Sequence, residues 1–144
     1  MVRRLYVAAL MAVMAILTAT AQVSGEDRIA YLEKQMYRYF SSSENDSFMI
    51  VTDELIEACR QAGKSQERLF YKAWSNQAIY YFLRINHQRG LEMANQIHDY
   101  ASQHDSKFGL YTSTYALATM SSSLRYFDQA EREFNEAIKI GRAH

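Results

Sequence analysis

Proline is absent from all 144 residues, glycine occurs five times and cysteine once. A sheet protein of this size turns often and draws on proline and glycine to do so. Consecutive helices joined by short loops need far less punctuation. With Cys59 alone, no intramolecular disulfide can form even in an oxidising compartment, so packing must hold the core. A surplus of one charge is lacking as well: 16 basic residues balance 16 acidic ones. Such a balance offers no footprint for nucleic acid, which requires a clustered basic face.

Catalytic signatures are also missing. There is no Gly-x-Ser-x-Gly, no Gly-x-x-x-x-Gly-Lys loop and no His-Glu-x-x-His. His87, His98, His104 and His144 make no metal box, since a helical zinc pair needs histidines four apart and His98 and His104 are six apart. Cys59 follows Ala58 on an apolar stripe and reads as a small buried hydrophobe, with no histidine beside it in sequence to activate a thiolate. Asp53, Glu54 and Glu57 read as a solvated helix face rather than a carboxylate pair with divided pKa values. The expectation is a protein that is no enzyme and carries no cofactor or metal.

One apolar run is present, and it opens the chain. Arg3 and Arg4 precede the stretch Leu5 to Leu17, and Thr18-Ala19-Thr20-Ala21 supplies an Ala-x-Ala cleavage pattern. The run is shorter than the roughly 20 residues of a membrane span. Residues 1–21 are therefore expected to be a signal peptide cut after Ala21, with an uncleaved anchor or a buried helix as the alternatives. Residues 22–144 are expected to be an exported, periplasmic or cell-envelope domain of a bacterium.

Six helices in three pairs are predicted there, over about 27–62, 66–104 and 107–140. The first, from Asp27 to Ser42, carries Ile29, Leu32, Met36, Tyr39 and Phe40 at helical spacing, with Ser24 as a possible cap. The second runs from Asp46 to Ala62 and ends at Gly63, suited to a left-handed residue. The third extends from a Ser65 cap to Asn86 and is apolar around much of its girth, so neighbours are expected on two sides. Gly90 reads as the turn before the fourth helix, in which Leu91, Ala94, Ile97 and Ala101 recur. The fifth covers Lys107 to Ser123 and the sixth Phe127 to Ile140, with Asp128 and Glu131 as its cap and Gly141 as its end. The 11 tyrosines read mainly as filling between helices, with a lined groove as the alternative.

The last pair sets small residues against large ones, with Ala118, Ala130 and Ala137 among Leu117, Phe127 and Phe134. A step of 36 residues relates Leu91 to Phe127, Ala94 to Ala130 and Ala101 to Ala137. Residues 111–144 resemble a tetratricopeptide (TPR) unit, whose period is about 34. The usual terminal proline is missing at Ser106 and Arg142, and bulky Phe82 stands 36 residues before Ala118, predicting a looser second pair. The run Phe70-Tyr71-Lys72-Ala73-Trp74-Ser75-Asn76-Gln77-Ala78 is similar to the exported TPR region at the N-terminus of certain bacterial membrane-spanning sensor histidine kinases and related regulators. This likeness covers most of 26–140. It implies an all-α fold of antiparallel pairs stacked as a short right-handed α-solenoid after the signal helix.

In such a stack the first helix of each pair lines the concave surface. Asn76, Tyr80 and Leu83 on the third helix and Tyr115, Thr119 and Ser122 on the fifth are expected to form a groove for an extended peptide or protein partner. The alternative for Tyr80 and Tyr115 is packing between pairs. Solenoids normally close with a polar cap, so the bare end after Ile140 predicts more chain downstream, or a partner or second copy over that face. By the resemblance, a missing part would carry further repeats, a membrane helix and a signalling module, and the leading function is the sensory part of a two-component protein. The rival is a structural adaptor in a cell-envelope complex. No nucleic acid is expected, and a membrane only through the signal segment or a downstream helix.

Overall fold

A computed structural model describes residues 25–42 and 44–143; the expected signal peptide and the Ser24 cap lie outside the described residues. Six helices and no strand occur among them. We number them α1 (25–42), α2 (Asn45–Gln61), α3 (Arg68–Arg84), α4 (His87–Gln103), α5 (Lys107–Ser123) and α6 (Phe127–Arg142). The all-α class is as expected.

Loops of two or three residues can only return the chain alongside the helix it has just left. Late α3 accordingly meets early α4 at Phe82 and Gly90, and late α4 meets early α5 at Ala101 and Gly109. Late α5 meets early α6, where Ser121 Oγ donates to Glu133 Oε2 at 2.7 Å. The pair α1 and α2 runs the same way. Phe40 of α1 lies 5.7 Å from Phe48 of α2, and Arg28 pairs with Glu54 at 3.7 Å. Gln77 of α3 donates to Thr52 Oγ1 at 3.1 Å and to Asp53 Oδ1 at 2.6 Å, buried beneath α2. Besides these neighbours in sequence, α3 also touches α5. It is the helix with contacts to α2, α4 and α5, and it buries Phe70, Tyr71, Ala73, Ala78, Tyr80 and Phe82.

The missing prolines and glycines are explained at the helix ends. After α2, Gly63 takes φ 69° while Lys64 N–H returns to Cys59 C=O at 2.7 Å. The same Schellman closure follows α4, with Ser106 N–H on Ala101 C=O at 2.8 Å, and α5, with Tyr126 N–H on Ser121 C=O at 2.9 Å. There the left-handed residues are Asp105 (φ 51°) and Arg125 (φ 64°), at a steric cost glycine would avoid. Asn86 and Ser106 cap α4 and α5 by accepting from Arg89 N and Gly109 N at 2.9 and 3.1 Å. Ser65 is not the cap of α3, which starts after Glu67, and α6 follows Tyr126 with no side-chain cap.

Gly90 corrects the sequence reading most. It is not in a turn; it is the fourth residue of α4 and is buried. A Cβ built there would sit 2.5 Å from Phe82 N and 2.6 Å from Phe82 Cα, so α3 and α4 touch backbone to backbone. The expected looseness of this pair at Phe82 is absent, because the neighbour of that bulky residue has no side chain. Gly141 likewise does not end α6, which continues to Arg142.

The helices α3 and α5 begin at 68 and 107, and α4 and α6 at 87 and 127, so the offsets are 39 and 40 rather than 36. At 40, buried Ala78 pairs with Ala118, and Gly90 with Ala130, each the fourth residue of its helix. A slip of four residues is about one helical turn and returns to the same face, which is why a 36-residue register looks equally regular in sequence.

Candidate functional site

At about 100° per residue, Arg68, Lys72, Ser75, Asn76, Ile79 and Leu83 occupy one sector of α3. Phe108, Tyr111, Thr112, Tyr115, Thr119 and Ser122 occupy the matching sector of α5. The two helices touch, and parts of these sectors face each other across a groove, whereas Leu83, Thr119 and Ser122 line neither of its clefts.

Two clefts lie along it and share Tyr111. The narrow one, about 80 Å³, is lined by Lys72, Ser75, Asn76, Ile79, Tyr111, Thr112 and Tyr115. The wider, about 380 Å³, lies among Arg68, Phe108, Tyr111, Ile138, Gly141 and Arg142. Rings run along the α5 side: Phe108 is 6.1 Å from Tyr111, Tyr111 is 6.3 Å from Tyr115, and Tyr115 is 5.5 Å from Phe134 of α6. The Arg68 guanidinium stands over the Phe108 ring at 5.1 Å, and the Lys72 ammonium over Tyr37 of α1 at 4.9 Å.

The residues expected in a groove are divided. Asn76 and Tyr115 line the narrow cleft together. Leu83 and Tyr115 are about half exposed, and Thr119 and Ser122 are partly buried on the same face of α5, with Thr119 Oγ1 donating back to Tyr115 C=O at 2.9 Å. Tyr80 is elsewhere. It is buried with its ring 4.4 Å from Phe48 of α2, so it packs between helices α2 and α3 rather than lining the groove. Arg68, Lys72, Ser75, Phe108 and Tyr111 are additions to the expected groove residues, and they continue the spacing of Asn76 and Tyr115 towards the N-terminal ends of α3 and α5.

Of the residues read as repeat packing, Ala94, Ala101, Ala118, Ala130 and Ala137 are all buried, and Leu91 and Leu117 pack partly buried against the core. Phe134 packs edge-on against Tyr115. Phe127 is corrected: at 64% exposed it plugs no interface among the described residues. Three residues set it about 60° round the helix from buried Ala130, enough to leave it exposed.

A third cleft, about 380 Å³, lies across α3 between α2 and α4, with Asp53, Glu57, Arg60, Trp74, Gln77 and Arg89 among its lining. Its charges are mixed, and Arg60 already engages Glu57 at 3.8 Å and the Phe70 ring at 5.6 Å. Cys59 is buried, and burial pushes its thiol above the usual range, with Glu67 adding to the effect, so a reactive thiolate is disfavoured. Among the described residues no group of three His, Cys, Asp or Glu side chains could hold a metal ion, and no helix is long and apolar enough to cross a membrane.

Comparison with protein-family models, curated proteins and solved structures finds no match to this chain.

Proposed function

We propose that the chain is a TPR-like helical repeat module that binds a peptide or protein partner without catalysis, in the groove between α3 and α5. The observation that carries this reading is the pair of clefts that share Tyr111. Amide, hydroxyl and aromatic groups converge there, as an extended backbone requires. Both clefts have Tyr111 as a wall, which suits a segment lying along the helices.

The solenoid arrangement is supported by the contact of α3 with α5 and by the 40-residue pairing of Ala78 with Ala118 and Gly90 with Ala130. Trp74, Gln77, Ala78 and Tyr81 stand where the unit's Trp-x-x-Leu-Gly-x-x-Tyr pattern has its residues, with two substitutions. The role fits an exported sensory domain of a two-component protein, a reading tested by the coding frame beyond residue 144. A membrane helix and transmitter motifs downstream support it, and a stop codon weakens it sharply.

The binding test is a peptide-display selection on the purified chain, followed by the double variant N76A/Y115A. Loss of affinity for the selected peptides is expected, and unchanged affinity takes these two residues out of the site. The adaptor reading keeps one specific observation in its favour, the exposed Tyr126, Phe127 and Ile138 on and beside α6. Light scattering across a concentration series separates the two, since a stable dimer favours assembly.

A further inference from the structure

Charge is balanced over the chain but not over its helices. The 17 residues of α3 hold Arg68, Lys72 and Arg84 and no acid. The 17 of α5 hold Lys107 and no acid. All 16 carboxylates of the chain therefore lie on other helices or in loops. Neither groove cleft has a carboxylate in its lining, whereas the cleft between α2 and α4 has Asp53 and Glu57. The ion pairs among the described residues use Arg28, Arg60, Lys64, Arg89 and their acids. Arg68, Lys72 and Arg142 are in none of them: Arg68 and Lys72 lean on aromatic faces, and Glu67, the acid nearest in sequence, pairs with Lys64.

A second, independent observation falls in the same groove. Ser75 is 4% exposed and lines the narrow cleft, and its Oγ is the one buried side-chain polar atom among the described residues without a hydrogen-bond partner. Serine inside a helix commonly donates back one turn, as Ser113 Oγ does to Gly109 C=O at 2.8 Å and Thr52 Oγ1 to Phe48 C=O at 2.9 Å. A hydroxyl buried without that bond carries an uncompensated desolvation cost, which a ligand's donor or acceptor would relieve.

We infer that the occupant of the α3–α5 groove is an acidic peptide segment, bound extended. Its carboxylates meet Arg68 and Arg142 over the Phe108 and Tyr111 rings, and a small polar group enters the narrow cleft at Ser75. This rests on the peptide-binding reading above and adds the chemistry of the partner. Charge-assisted and bidentate bonds from guanidinium to carboxylate are the strong ones, and an aromatic floor excludes water beneath them. The narrow cleft is too small for more than a short side chain, at about 30 Å³ per water displaced.

The test uses the purified chain and labelled ten-residue peptides of serine, glycine and leucine carrying no charge, four glutamates or four lysines, read by fluorescence anisotropy. Tightest binding of the glutamate peptide, weakening as salt rises, is expected. R68Q/K72Q should weaken it about tenfold, and the charge-matched control R84Q/K107Q, outside both clefts, much less. Ser75→Ala should lower affinity several-fold while leaving the melting temperature of the free protein unchanged or raised, because it deletes an unsatisfied hydroxyl. A merely structural serine would give a lower melting temperature and unaltered affinity, and that result removes Ser75 from the proposal. Equal binding of neutral and acidic peptides, lost in N76A/Y115A, leaves the groove standing and overturns the acidic partner. A single-stranded oligonucleotide binding as tightly as the glutamate peptide overturns it too, and no binding by any peptide removes both readings.

Discussion

The helix pairs α3–α4 and α5–α6 are nearly equal in length, yet they close by different means. In the first, Gly90 lets α4 rest on the backbone of Phe82, and the chain turns within Ile85 and Asn86 without a left-handed residue. In the second, Ala118, Ala130 and Ala137 are all buried and each keeps a methyl group, and a three-residue turn passes through Arg125 at φ 64°. A contact between backbones has no slack, because neither partner can rotate away. A contact through alanine methyls at an outer helix can open by a small shift. One pair is therefore set by a single residue type at a single position, the other by a stripe.

The sharpest way to break this comparison is Gly90→Ala. The new Cβ would lie 2.5 Å from Phe82 backbone, and separating α3 from α4 is expected to cost about 3 kcal/mol or more. In a domain of this size that lowers Tm by about 10 °C or more in a thermal melt. Gly109→Ala comes next, at about 2 kcal/mol: its Cβ meets the movable Tyr71 ring at 2.5 Å but also the fixed Ala101 Cβ at 2.6 Å. Ala137→Val, at the outer pair, should cost about 1–2 kcal/mol. If denaturant titrations give it the same cost as Gly90→Ala, the two pairs are equally tight and the contrast fails.

The smallest effects concern the turns, and they should have opposite signs. Gly63 has φ 69° and nothing within 4 Å of a built Cβ, so Gly63→Ala measures the left-handed backbone alone, at about 1 kcal/mol lost. Arg125→Gly relieves the same conformation and should gain about as much, up to the extra unfolded-state entropy of glycine. Two losses, or two gains, would show that side-chain contacts outweigh backbone conformation at these turns.

Much of the fold was legible because helical periodicity is local. The α5 boundaries, Lys107 and Ser123, are read to the residue from polar breaks on either side, and Gly63 announces the end of α2. The errors share a cause. Gly90 looks like punctuation in sequence because nothing local distinguishes a glycine that turns the chain from one that admits a neighbouring helix. Phe127 looks like an interface residue because its exposure depends on what covers that flank. Tyr80 and Asn76 differ by four positions, close enough in angle to share a predicted face. Only the position of α2, with Phe48 against the Tyr80 ring, separates them.

By itself, the sequence determined that this chain is helical, that its helices come in short-looped succession, and that no disulfide supports them. Those properties follow from residue chemistry and spacing within a few turns. It also held the segregation of acids away from α3 and α5, which acquires meaning only when those two helices meet across a groove. Only the folded chain shows that Gly90 is a packing contact, that α5 and α6 start 39 and 40 residues after α3 and α4, and that Ser75 is buried without a partner. Each of these depends on atoms far apart in the chain, and a helical pattern that repeats every turn cannot report which turn of one helix faces which turn of another.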